Sequence, residues 1–359
     1  MLRIPMFSRS MHTSAAILCG VALGCSGDVR DTQRLPPPPP SVARMAQQLD
    51  TIPLRHAFAR ASELPRMRSL LVQWRGEVVG EEYFGGATHS SRANIKSASK
   101  SVLSALVGIA IDQGAIRDVH QTIGDLLPAD TRGLDSIKRS ITVEDLLSMR
   151  SGLESTSFAN YGSWVTSRHW VRNALARPMV AEPGGPMIYS TGNSHLLSAI
   201  LTRATGMSTY RFAERYLARP LGIPLRPWLA DPQGILFGGN DMYLTPRAML
   251  GVGTLYLNRG ALNGQQVVSA AWVDSSFVPR TTSPWNGNRY GYGWWSRTAR
   301  GVAVHYAWGY GGQFIFIVPT LELVVVMTSD ADTQRERGHN RELHAMLADH
   351  IMSAVSTLE

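Results

Sequence analysis

From residue 42 onward the apolar positions change period twice. Met45, Leu49, Ile52 and Leu54 stand among polar residues and predict an amphipathic helix over 42–63. Residues 68–74 (RSLLVQW) and 77–84 (EVVGEEYF), joined by Arg75-Gly76, read as a β-hairpin. Residues 97–113 (SASKSVLSALVGIAIDQ) read as a helix ended by Gly114. From Val102 to Ile111 this helix is apolar almost all round, so it is expected at the centre of the domain. Residues 115–260 are mainly helical with many Gly and Pro breaks, as in 142–150 (TVEDLLSMR) before Ser151-Gly152 and 194–204 before Gly206. Strand patterning returns at 289–296, 301–307, 312–318 and 322–329, where Phe314, Phe316, Val324 and Val326 belong to a hairpin closed by Pro319-Thr320. A final helix is expected over 343–355, with His344 and His350 six apart on it and solvated. Strands at both ends and helices between them predict an α+β body. Its sheet is built from both chain ends, and a helical subdomain at about 115–260 is inserted between them. There is no internal repeat.

The first 41 residues read differently. Arg3 and Arg9, then the apolar run 13–24 (TSAAILCGVALG), have the order of an export signal over 1–24. The two cysteines of the chain, Cys19 and Cys25, both lie at this end, so the body is expected to fold without disulfides. Cys25 follows Ala22-Leu23-Gly24, which resembles a bacterial lipid-attachment box with Ala22 where Leu is usual. Lipid attachment at Cys25 and plain cleavage after Gly24 are the two readings, and either places the protein in the periplasm or cell envelope. Residues 25–41, with five prolines from Pro36 to Pro40, form an extended spacer. The folded domain then spans 42–359. The net charge is +8, and removal of 1–24 would leave +6. The basic residues are scattered without a run or an aromatic-interleaved stripe, so no nucleic-acid partner is expected.

Lysine narrows the chemistry. Of 35 basic residues only Lys96, Lys100 and Lys138 are lysine. Arginine does not lose its proton in a protein, whereas a desolvated lysine does. Lys100 lies on the apolar helix, three residues after Ser97, and positions i and i+3 share a helix face. A hydroxyl in the first turn, beside an amine of depressed pKa, is a candidate nucleophile. Read alone, Ser97 is an ordinary helix cap. Two glycine-rich stretches add context: Pro183-Gly184-Gly185-Pro186-Met187-Ile188-Tyr189-Ser190-Thr191, running into a helix, and Trp308-Gly309-Tyr310-Gly311-Gly312-Gln313, running into a strand. Singly, these read as a core tyrosine and a turn.

Together, over about residues 65–355, these motifs resemble the serine β-lactamase and penicillin-binding superfamily, on the branch with class C β-lactamases, DD-peptidases, carboxylesterases and aminohexanoate-dimer hydrolases. Ser97-Ala98-Ser99-Lys100 matches the first motif. Tyr189-Ser190-Thr191 matches Tyr-x-Asn with Thr191 in place of Asn, and Ala307-Trp308-Gly309 falls where β-lactamases carry Lys-Thr-Gly. Residues 141–153, 238–262 and 309–319 agree as well. The resemblance implies that Ser97 is acylated and that Lys100 and Tyr189 jointly move its proton. It implies an oxyanion hole from the N–H groups of Ser97 and Tyr310, and substrate contacts from Thr191, Trp308, Gly309 and Gly311. It implies no cofactor, no metal and a small ester or amide as the partner.

Ala307 replaces the cation that holds the antibiotic carboxylate in β-lactamases, which favours an esterase or amidase over a β-lactamase. A DD-peptidase or weak β-lactamase acting on cell-wall peptides is the alternative within the enzymes, and a non-catalytic envelope-binding scaffold the alternative outside them. No G-x-S-x-G and no H-E-x-x-H occurs, which disfavours an α/β-hydrolase and a zinc hydrolase. His305, near the glycine-rich loop, reads as a strand histidine without a bonding role.

Overall fold

The computed structural model describes residues 49–331 and 338–355. The expected leader, the spacer and Cys25 lie outside them. Among the described residues no helix is long and apolar enough to cross a membrane.

One antiparallel sheet carries the structure. Its strands are β1 (Met67–Trp74), β2 (Glu77–Tyr83), β3 (Thr281–Thr282), β4 (Arg289–Tyr290), β5 (Trp295–Ala299), β6 (Val302–Gly309), β7 (Gln313–Val318) and β8 (Leu323–Ser329). They lie in the order β2-β1-β8-β7-β6-β5-β4-β3. The first and last strands of the chain are therefore neighbours, with Leu71 opposite Val326. The β1–β2 connection is the two-residue turn Arg75-Gly76, both at positive φ (51° and 86°), which matches the twist of the flanking strands. The single strand expected over 289–296 is broken into β4 and β5, because the chain turns at Gly293 with φ 77°.

Six helices and a terminal turn matter to the layers: α1 (Thr51–Glu63), α2 (Ser99–Asp112), α3 (Thr191–Thr205), α4 (Pro246–Leu257), α5 (Ala270–Phe277), α6 (His339–Ala345), and α7 (Met352–Val355) after a π-helical stretch, Met346–Ile351. Successive strand residues face opposite sides. Leu70, Val72, Phe314, Phe316 and Val325 pack with Leu54 and Phe58 of α1 and with Leu343, Leu347 and Ile351. Their neighbours Leu71, Ile315, Ile317, Val324 and Val326 pack on the other side with α2, α3 and α4. Covered on both faces, β7 and β8 read as continuous apolar runs rather than as alternation.

Three expectations are revised. The first helix starts at Thr51, where the Asp50 carboxylate accepts the Ile52 N–H at 2.9 Å and caps it. Residues 42–48 lie outside the described residues. His344 is not solvated: its ring packs 5.1–5.2 Å from Tyr306, Phe314 and Phe316, and burial lowers its pKa to about 4. His305 does have a bonding partner, Ser296 Oγ at 2.7 Å, and it stacks on Phe277.

The helical subdomain leaves the sheet after β2 and returns at α4. A short strand pair, Ala93–Asn94 with Tyr243–Leu244, joins its two ends. α4 lies on the sheet through a glycine. A Cβ at Gly253 would come within 2.5 Å of Val324 Cγ1 and 2.9 Å of Ile315 Cγ2. At Gly251, on the same helix, it would meet only ordinary contacts, 3.5 Å from Ile223 and 3.7 Å from Leu221. Urea unfolding should therefore separate the two. Gly253→Val is expected to cost about 1–3 kcal/mol by overpacking. Gly251→Ala is expected to gain about 0.5–1 kcal/mol from helix propensity. Equal effects of the two substitutions would refute this account of the α4–sheet contact.

Candidate active site

The turn that presents Ser97 lies between the two layers. Lys96–Ala98 form a single 3-10 turn, and α2 follows from Ser99. Ser97 is thus in the tight turn ahead of the α-helix rather than in its first turn. Lys96 takes φ 50°, unusual for a residue with a side chain. Its N–H donates to Asn94 Oδ1 at 3.0 Å, its carbonyl accepts from Ser99 Oγ at 2.8 Å, and the Ile95 N–H donates to Met242 O at 2.9 Å. Local bonds on both sides thus hold a strained residue in place immediately before Ser97.

All residues of α2 from 99 to 110 are buried, Lys100 included at 4 % exposure. The Lys100 Nζ lies 3.1 Å from Ser97 Oγ, donates to Gly239 O at 2.8 Å and sits 3.5 Å from Thr191 Oγ1. It also lies 5.1 Å from the centre of the Tyr189 ring. Among the described residues no carboxylate forms an ion pair with it. Burial without a counter-charge disfavours the ammonium and lowers its pKa to about 7. Glycine at 239 leaves room for the amine: a Cβ there would stand 2.8 Å from Nζ and displace it. By contrast, the Lys138 ammonium donates to the carbonyls of Leu175 and Arg177, as a structural tie.

Tyr189 and Thr191 arrive on the loop that enters α3. Three hydroxyl residues, Ser155, Thr156 and Ser157, fix that loop. Ser155 Oγ donates to Tyr189 O at 2.7 Å, and the first N–H groups of α3, those of Thr191 and Gly192, donate to Ser157 Oγ (2.8 Å) and Thr156 Oγ1 (2.7 Å). These side chains satisfy donors that a helix start leaves unpaired. The Tyr189 phenol lines the same cavity as Ser97. Burial raises its pKa to about 12, against a smaller lowering from Ser97. At neutral pH it is a protonated phenol.

Ser97 and Tyr189 open onto a cavity of about 570 Å³. Trp295, Trp308, Tyr310, Gly311, Phe158 and Trp285 supply most of its remaining wall, with Arg66 and Arg341. The glycine-rich loop after β6 forms one side. Gly309 packs so closely on the carbonyl of Ile95 that no side chain fits between them, so this loop is held against the turn that carries Ser97. Arg66 ties the loop's far end, donating to Gly311 O (3.1 Å) and Asp330 O (2.8 Å).

Ser97, Lys100, Tyr189 and Thr191 are therefore brought together, and Tyr310, Trp308 and Gly311 line the same cavity as Ser97. Thr191 lies behind that wall, buried between Ser157 Oγ and Lys100. Gly309 does not line the cavity either; its backbone packs on the Ile95 carbonyl. Sequence reasoning missed the Gly239 carbonyl and the rings of Phe158, Trp285 and Trp295. The Gly238-Gly239 pair marks a close approach in the sequence but not which carbonyl faces the amine; the rings carried no signal.

The chain is similar to several known proteins. A 6-aminohexanoate-dimer hydrolase of Paenarthrobacter ureafaciens is 25% identical over 348 residues, which covers 84% of this chain and 85% of that protein. A penicillin-binding protein homologue from Caulobacter crescentus superposes with a TM-score of 0.69 at 16% identity, over 84% of this chain and 96% of that one. A hydrolase with promiscuous acyltransferase activity, EstCE1, superposes with 0.68 at 17% identity, over 83% and 97%. The pattern of the β-lactamase family matches residues 66–349, a stretch that holds the whole sheet, the turn at Ser97 and the loop after β6. On that match the chain belongs to the β-lactamase family.

Proposed function

We propose that this protein is a serine hydrolase that cleaves an ester or amide through an acyl-enzyme on Ser97. One observation supports this above the others: a buried amine without a counter-charge lies 3.1 Å from a hydroxyl that faces a cavity. With a pKa of about 7 the amine is neutral in a large fraction of molecules at neutral pH, so it can accept a proton. Tyr189, held as a phenol by its burial, favours Lys100 as the first acceptor.

In the proposed cycle Lys100 takes the Ser97 proton as Oγ bonds to the substrate carbonyl carbon. The N–H groups of Ser97 and Tyr310 stabilise the oxyanion; the packing of Gly309 on Ile95 favours this pairing. The carbon–leaving-group bond then breaks, and the leaving group takes a proton from the Tyr189 and Lys100 pair. Water attacks the acyl-enzyme with the same groups acting in reverse. The coarser reading, a hydrolytic enzyme of this structural class, rests on family and fold together. The ester or amide reading is favoured over a β-lactamase because Ala307 is fully buried and offers no charge to a carboxylate. Export directed by residues 1–24 and lipid attachment at Cys25 belong to the same proposal.

Two measurements test it. kcat/KM on a small acetate ester should rise about tenfold per pH unit up to about pH 7 and then level, because the neutral amine is the working form. Ser97→Ala and Lys100→Arg should each lose about 10²-fold or more, since arginine retains its proton. Near-normal turnover by Lys100→Arg would remove lysine from the role.

The second is a stability test. The folded state lowers the lysine pKa from 10.5 to about 7, so unfolding takes up a proton between those values. Stability from this group therefore rises with pH across that window, and its destabilising cost is full below pH 7. Lys100→Met should melt above wild type at pH 6, with the gap narrowing towards pH 10. A gap independent of pH would mean that the amine is not desolvated.

A further inference from the structure

Exposed aromatic rings are unevenly placed on this molecule. Of the large apolar side chains left exposed among the described residues, four are aromatic: Phe158 (67 %), Tyr243, Trp285 (59 %) and Tyr310 (48 %). Three of them line the cavity beside Ser97. Phe158 and Trp285 are 127 positions apart in sequence, on unconnected loops, yet their rings meet edge to face at 5.4 Å. Both also approach Tyr189, at 6.3 and 6.4 Å, and Trp295 stacks on Tyr189 at 6.1 Å.

Neither rim residue is placed there by burial. Phe158 takes φ 55°, a left-handed conformation costly for a bulky residue, in a turn held by the Asn160 N–H donating to Ser157 O and Asn160 Nδ2 donating to Ser155 O. The same serines fix the start of α3, so the ring is held at a set position relative to Tyr189. Trp285 sits at the tip of the β3–β4 hairpin, where its N–H donates to Ser283 Oγ and the Ser283 N–H donates to Asn288 O. Two anchored loops thus hold exposed, mutually tilted rings over the groups proposed to do the chemistry.

We propose that this cavity selects esters carrying a planar aromatic group, which Phe158 and Trp285 hold against Tyr189 while the ester carbonyl lies at Ser97. The proposal rests on the acyl-enzyme reading for its chemistry, though not for its binding. Tilted rings offer faces and edges to a flat π-system, an arrangement that a puckered ring of the same size cannot use equally well.

Benzyl acetate and cyclohexylmethyl acetate test this with the full chain, because they match in size, apolarity and leaving-group type. Wild type should show a KM about fivefold lower for the benzyl ester. Phe158→Leu and Trp285→Leu, which keep apolar bulk, should each bring the ratio of the two KM values towards one. Calorimetry of 2-naphthylmethanol with Ser97→Ala protein reads the site without turnover. Saturable binding is expected there, and weaker binding when Trp285→Leu is added. Equal KM values in wild type, or ratios unchanged in both leucine variants, would overturn the aromatic site. Turnover surviving in Ser97→Ala would instead overturn the acyl-enzyme and leave the binding result standing.

Discussion

Lys100 is an ammonium-bearing side chain taken out of water and given no carboxylate. Among the described residues its close partners are a hydroxyl, a backbone carbonyl, a second hydroxyl at the limit of bonding distance and the face of a phenol. Such a group is costly to bury, and the cost falls on the charged form alone. A counter-ion would have relieved the cost and kept the proton on the nitrogen. Much of the surrounding architecture serves to keep this environment dry and uncharged: an α2 buried from 99 to 110, a Gly239 where a side chain would crowd the amine, and a strained Lys96 that fixes where the helix begins.

The sheet explains how such an environment is held. β1 and β8, from the two ends of the chain, pair one strand in from the β2 edge, and both faces of the sheet are covered. The Ser97 turn, the α3 entry loop and the loop after β6 belong to different layers, yet each is fixed by bonds or contacts that leave little play: Gly309 on Ile95, Arg66 on Gly311, Ser157 on Thr191. Proton transfer over hydrogen-bond distances needs this rigidity, because a displacement of about 1 Å at such a site costs on the order of 10²-fold in rate.

What could be read from the sequence follows from how local each feature is. Ser97 and Lys100 are three residues apart, so the spacing itself carries their proximity. The strands at both ends and the central apolar helix were legible for the same reason, since period and burial are properties of short windows. The Tyr189 loop and the loop after β6 became legible only as a set, in order along the chain. Phe158 and Trp285 were not legible, because nothing in either segment encodes that two loops 127 positions apart converge. The acceptor on Gly239 was hidden for another reason: every residue has a carbonyl, and only the tertiary fold decides which one faces an amine. His344 misled because a histidine on a terminal helix gives no sign that three aromatic rings of the sheet cover it.

Ala307 and the aromatic rim form one argument. β6 alternates, so Ala307 turns into the core opposite Ile315 while Trp308 turns towards the cavity opposite Phe314. A cation at 307 would lie in the same core as α2, and by like-charge repulsion it would lower the Lys100 pKa further. Here alanine leaves that depression to burial alone, and burial is the cause that the structure gives. The same substitution removes a point charge with which a substrate anion would be recognised. On the proposed reading, recognition of an ester or amide would fall to surfaces whose attraction grows with contact area rather than with charge. The cavity has such surfaces in quantity, in Tyr189, Trp285, Trp295 and Trp308. On the proposed reading, an uncharged residue at 307 and an aromatic rim act together, so that a substrate is read by its shape rather than its charge above the Lys100 amine and the Ser97 hydroxyl.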